Sequence, residues 1–144
     1  MKRLALLSVA SLMLASAVLA PVALAQEPGE VDVQSVTRGP GGSVTVNGTI
    51  QCVEGQQYDW GVTVRQRTSG NVFLVAGVGQ GGTCPSTGPL EFTFTTFGRV
   101  GGFDGPEKPF HKGQATVQTF GRLCSPDFSS CTPTQESIEQ VRIS

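Results

Sequence analysis

Between residues 42 and 53 the sequence reads GSVTVNGTIQCV, and apolar side chains recur at every second position. Val44, Val46, Ile50 and Cys52 share a parity with Gly48, while Thr45, Asn47, Thr49 and Gln51 take the other. A strand turns successive side chains to opposite faces, so this stretch predicts a strand with one dry and one wet face. A second such segment follows at once. Trp60, Val62 and Val64 alternate with Asp59, Thr63, Arg65 and Arg67, and only Glu54-Gly55-Gln56-Gln57 intervenes. A connection that short predicts that the two strands form the first hairpin of an antiparallel sandwich, with Trp60 packed across the face from Val44 to Ile50.

The same reading extends along the chain. Residues 26–30 are polar, contain Pro28 and Gly29, and read as a flexible lead. Val31, Val33 and Ser35 alternate with Asp32 and Gln34 as an edge strand, which Gly39, Pro40, Gly41 and Gly42 break into a turn. Residues 72–78 place Val72, Leu74, Ala76 and Val78 on one side and Phe73 and Val75 on the other. A strand covered on both faces, or one with a partner surface, has this pattern. Leu90, Phe92 and Phe94 alternate with Glu91, Thr93 and Thr95. Ala115, Val117 and Thr119 alternate with Gln114, Thr116 and Gln118, and a last strand over residues 138–143 turns Val141 and Ile143 inward. That makes about seven strands, turn signals at sandwich-like intervals and no helix. The fold expected is an all-β, immunoglobulin-like antiparallel sandwich, one domain over residues 31–144.

Residues 1–25 stand apart from this pattern. Lys2 and Arg3 precede an apolar run from Leu4 to Ala20, and Ala23-Leu24-Ala25 before Gln26 forms a small-x-small cleavage site, so the segment reads as a secretory signal peptide. No Cys lies near that site to carry a lipid, and no membrane anchor is expected after cleavage. Removal of Lys2 and Arg3 leaves 8 basic residues (10 − 2) against 11 acidic ones, a net charge of −3. With no basic cluster or basic aromatic stripe, nucleic acid is not an expected partner. The 119 residues left (144 − 25) are one domain's worth, expected to be a monomer.

Four cysteines in an exported chain read as two disulfides. The strand positions of Cys52 and Cys84, and the short spacing of Cys124 and Cys131, favour Cys52–Cys84 with Cys124–Cys131. The alternative is Cys52–Cys124, an inter-sheet bridge packed on Trp60, with Cys84 left for Cys131. Zinc is disfavoured, because no C-x-x-C pair occurs.

The series G-x-V-x-V-x-G-T-I-x-C from Gly42 to Cys52, V-x-V-x-Q from Val62 to Gln66, the following Cys84, and G-x-A-x-V from Gly113 to Val117 resembles small secreted bacterial domains of immunoglobulin-like type. The resemblance covers most of the chain after residue 25 and implies fold and export without an activity. Asp127-Phe128-Ser129-Ser130 also looks like a loop of the apoproteins that carry enediyne chromophores.

Candidate chemistry is sparse. His111 is the sole histidine, and no Ser sits in a G-x-S-x-G context. Asp59, Glu91, Asp104, Glu107 and Asp127 are scattered singly, with no paired-carboxylate signal. Asp104-Gly105 with Glu107 matches no calcium-loop spacing, and Asn47-Gly48-Thr49 fits a glycosylation sequon on a wet strand face. No metal or cofactor is expected. The segment most suited to recognition is 98–112, GRVGGFDGPEKPFHK, where alternation stops and Arg99, Phe103, Asp104, Lys108 and Phe110 mix aromatic and charged character. Phenylalanines that plug the open end of the sandwich are the competing assignment. The expected function is therefore a non-enzymatic exported binding module for a protein or glycan ligand. A structural domain of the cell envelope or matrix is the alternative; a small-ligand carrier or a hydrolase ranks lower.

Overall fold

The computed structural model describes residues 26–144, so the predicted signal segment lies outside the described residues. Nine strands form two antiparallel sheets. The smaller contains β1 (Val31–Arg38), β2 (Val44–Cys52) and β5 (Gly88–Thr96), in the order β1-β2-β5. The larger contains β3 (Gln57–Arg67), β4 (Phe73–Thr83), β6 (Gly98–Val100), β7 (Glu107–Lys108), β8 (Gly113–Cys124) and β9 (Gln135–Ile143), in the order β7-β6-β4-β3-β8-β9. The division places the first, second and fifth strands opposite the third, eighth and ninth, the arrangement of strands A, B and E against C, F and G in an immunoglobulin-type sandwich.

The core lies where the two alternating faces meet. Val44, Val46, Ile50 and Cys52 from β2 are buried, as are Trp60, Val62 and Val64 from β3 and Ala115, Val117 and Leu123 from β8. Ile143 is fully buried and Val141 packs against the core, both inward as expected.

The predicted hairpin of β2 and β3 does not exist. β2 pairs with β1 and β5, and β3 pairs with β4 and β8, so residues 53–56 carry the chain from one sheet to the other. The physical reason is that alternation specifies a dry face without specifying what covers it. Sheets stack about 10 Å apart and four extended residues reach about 13 Å, so a hairpin-length connection also bridges a sandwich. Trp60 is accordingly covered by the opposite sheet.

Smaller departures have local causes. In β1, a register shift between Val33 and Ser35 resets the alternation, and Val31 and Val36 are buried despite opposite parity. The lead is held in place: the Gly29 N–H donates to the Gln51 carbonyl at 2.8 Å, and the Gln51 N–H to that of Glu30 at 2.9 Å. Segment 98–112, expected to be irregular, contains the two short strands β6 and β7. β5 and β6 are separated only by Phe97, where the chain passes from the smaller sheet to the larger.

Both disulfides, Cys52–Cys84 and Cys124–Cys131, have the pairing read from strand position and spacing. Cys52 ends β2, Cys84 follows β4 and Cys124 ends β8, in register with Gln57 at the start of β3. All the half-cystines therefore gather at one pole. The opposite pole, where β3 turns into β4, has no covalent staple and is closed by segment 98–112.

Candidate functional site

Segment 98–112 is fastened by its backbone. Gly98 and Arg99 pair with Lys108 and Glu107, while Val100 and Arg99 pair with Leu74 and Val75 on β4. Arg99 binds this small hairpin together: its guanidinium donates to Glu107 Oε1 at 2.8 Å and to the Gly105 carbonyl at 3.3 Å. At the far end, the Phe110 N–H donates to the Gly42 carbonyl at 2.8 Å, and Arg38 Nε donates to the Phe110 carbonyl at 2.8 Å.

The firmest anchor is Gln66. It is buried at an inward position of β3, where a polar side chain must find partners. Its amide nitrogen donates to the His111 carbonyl at 2.7 Å and its amide oxygen accepts the His111 N–H at 2.9 Å. A glutamine in the inward series Trp60, Val62, Val64, Gln66 was the sequence signal for this clamp.

The five predicted residues part company here. Phe110 is fully buried in the main core and plugs the end of the sandwich, so it is a packing residue and contributes nothing to the exposed surface of the segment. Arg99 is spent on the hairpin. Phe103, Asp104 and Lys108 are exposed. Phe103 is 57% accessible, and its ring lies across the outer face of the larger sheet on Gly77. A Cβ at Gly77 would stand 2.9 Å from Phe103 Cε1, so a side chain there would make the ring shift. Phe120 lies over Gly61 in the same manner, so two glycines of this face each carry a phenylalanine ring.

The segment forms a wall of two concavities. On the outer sheet face, a recess of about 310 Å³ lies among Thr63, Arg65, Val75, Phe103 and Gln118. Val75 is buried there although it lies outside the main core, whereas Phe73 on the same outer face and Val72 stay exposed, so β4 is covered on its inner face and only in part on its outer one. Beside it, Arg65 sits over the Phe73 ring, 5.5 Å from its centroid. At the pole itself, a cavity of about 710 Å³ is lined by Val72, Leu74, Val100, Lys108, Pro109 and His111, with Thr68 and Ser69 at the turn. Val72, Thr68 and Arg65 lie outside the predicted segment; a strand-end turn gives no sign in sequence that another loop will fold against it.

Other sequence features are occupied structurally. Asp59 pairs with Arg122 at 2.9 Å. The Asn47 amide donates to Ser35 Oγ and accepts from Thr93 Oγ1, a polar row across the smaller sheet. Asp127, in the Cys124–Cys131 loop, has its pKa lowered to about 2, chiefly by the Ser125 hydroxyl and then by the Ser129 hydroxyl and N–H that donate to its carboxylate. Among the described residues no three His, Cys, Asp or Glu side chains converge as metal ligands, and no helix is long and apolar enough to cross a membrane. Comparisons with protein-family models, curated proteins and solved structures find no match to this chain.

Proposed function

We propose that the protein is an exported, non-enzymatic binding module, and that the exposed part of segment 98–112 recognises a protein or glycan ligand outside the cytoplasm. The observation that carries this reading is Phe103, a large aromatic side chain held 57% exposed on a loop whose backbone is fixed on both sides. Exposed aromatics on rigid supports give large contact area at low entropic cost, which is the character of recognition hot spots. Of the seven large apolar residues exposed among the described residues, Val72, Phe73, Phe97 and Phe103 belong to this segment or flank it. That concentration favours this pole over the disulfide pole, where Phe128 stands alone. The two disulfides fit an oxidising compartment, and the signal-like residues 1–25 supply the route to it. The likeness to small secreted bacterial domains points the same way, to a bacterial exported protein.

The test compares wild-type protein with a Phe103→Ala/Lys108→Glu variant for retention on immobilised extracytoplasmic material and on a glycan array. Specific retention that the variant loses supports the reading. Equal retention of both proteins overturns it.

A further inference from the structure

We propose that the cavity at the unstapled pole binds a small amphipathic anion, a molecule with an apolar body and a single acidic head group. The proposal goes beyond the protein or glycan recognition assigned to segment 98–112 and gives the same pole a separate, small-molecule ligand. At about 710 Å³ the cavity lies within the range of small-molecule sites, roughly 300 to 1,000 Å³. Its floor and sides are Val72, Leu74, Val100 and Pro109, which offer dispersion contact and no charge. Leu74 belongs to the buried core, so an apolar body entering here would meet the sandwich interior.

The charge at the rim has one sign. Lys108 and His111 are the ionisable side chains that line the cavity, and no carboxylate lines it. The nearest acidic neighbour in sequence, Glu107, is drawn away by Arg99 at 2.8 Å. Lys108 takes part in neither of the two ion pairs formed among the described residues, so its ammonium is free for a ligand carboxylate, sulfate or phosphate.

The walls are preformed. Gln66 holds the His111 backbone from both its N–H and its carbonyl. Thr68 Oγ1 donates to the Val72 carbonyl at 2.8 Å and the Thr68 N–H to the same oxygen at 2.9 Å, which fixes the opposite rim. A cavity whose rims are pinned in this way loses little ordering entropy on binding. An apolar site with a few placed polar groups is the ordinary design of a small-ligand pocket.

The experiment titrates the full mature chain with sodium decanoate, and separately with 1-decanol, below their aggregation limits, and follows backbone amide resonances. Decanoate is expected to saturate, with shifts centred on Val72, Val100 and His111, and to bind about tenfold more tightly than the alcohol because the Lys108 contact is charge-assisted. Lys108→Glu should lower decanoate affinity about tenfold or more, with the decanol response unchanged. Val72→Asp should weaken both. These side chains are exposed, so neither variant threatens the fold. Absence of saturable shifts, shifts elsewhere on the surface, or equal affinity for acid and alcohol would overturn the proposal. If decanoate fails while Phe103-dependent retention of a partner persists, the ligand class is wrong and the recognition role stands.

Discussion

The Trp60 ring lies on that of Phe92, with centroids 4.1 Å apart and planes 23° from parallel, and the two residues come from opposite sheets. Trp60 is 2% accessible and Phe92 8%, so this stack fastens β3 to β5 across the middle of the sandwich. Truncation of Trp60 to Ala should cost about 3 to 5 kcal/mol. A double-mutant cycle with Phe92→Ala should show coupling of about 0.5 to 1.5 kcal/mol beyond buried area. Urea titration of the four proteins measures both quantities. Wild-type Trp60 emission should be blue-shifted and protected from acrylamide; freely quenched, red-shifted emission would contradict the packing.

Loss of the Gln66 amide should release the end of segment 98–112 before it unfolds the domain. Gln66→Ala removes two part-buried hydrogen bonds to the His111 backbone and should cost about 2 kcal/mol. Hydrogen exchange should then quicken over residues 110–112 while β2 and β8 stay protected. Uniform acceleration across the domain would show that the clamp serves the core and not the loop.

The two disulfides should contribute unequally. They close loops with sequence separations of 32 and 7 residues, which on the chain-entropy account are worth about 3.7 and about 2.5 kcal/mol. Replacement of Cys52 and Cys84 by Ala should therefore lower the denaturation midpoint more than replacement of Cys124 and Cys131. The reverse order, measured in urea, would contradict this ranking.

The Cys124–Cys131 loop should respond to acid. Asp127 has its folded-state pKa depressed to about 2 by hydroxyl and amide donors, from an ordinary value near 3.8. A depressed carboxylate contributes stability above its unfolded-state pKa and loses it as pH falls through the folded value. The local order of this loop should thus be constant above about pH 5 and fade as pH falls from about 4 to below 2. The Ser129 amide resonance reports the change; Asp127→Asn should abolish the titration.

Alternation made the strands legible because one residue of slip would turn every buried valine outward, and the cysteine positions followed from the strands they end. The partner of each strand was not legible. The face from Val44 to Ile50 would accept β3 as an in-sheet neighbour or as a facing layer, and sequence does not distinguish the two. Segment 98–112 was visible as a break in alternation. Phe103 and Phe110, though, differ only in what they meet: Phe103 finds bare glycine on an outer face, while Phe110 finds the open end of the core. That distinction depends on Gly77 of β4 and on Gln66, distant in sequence from both.

The most direct test asks whether the protein has the proposed binding surface at all. Amide spectra of labelled wild-type and Phe103→Ala protein would be recorded with and without extracytoplasmic extract from the producing cell. Phe103 is exposed, so its truncation should leave stability within about 0.5 kcal/mol of wild type. Wild-type resonances are expected to shift or broaden at residues 100–105, 107 and 108, at Val72 and at Val75, and Phe103→Ala is expected to remove the response. Perturbation centred on Phe128 at the disulfide pole, or an unchanged response in Phe103→Ala, would contradict this expectation.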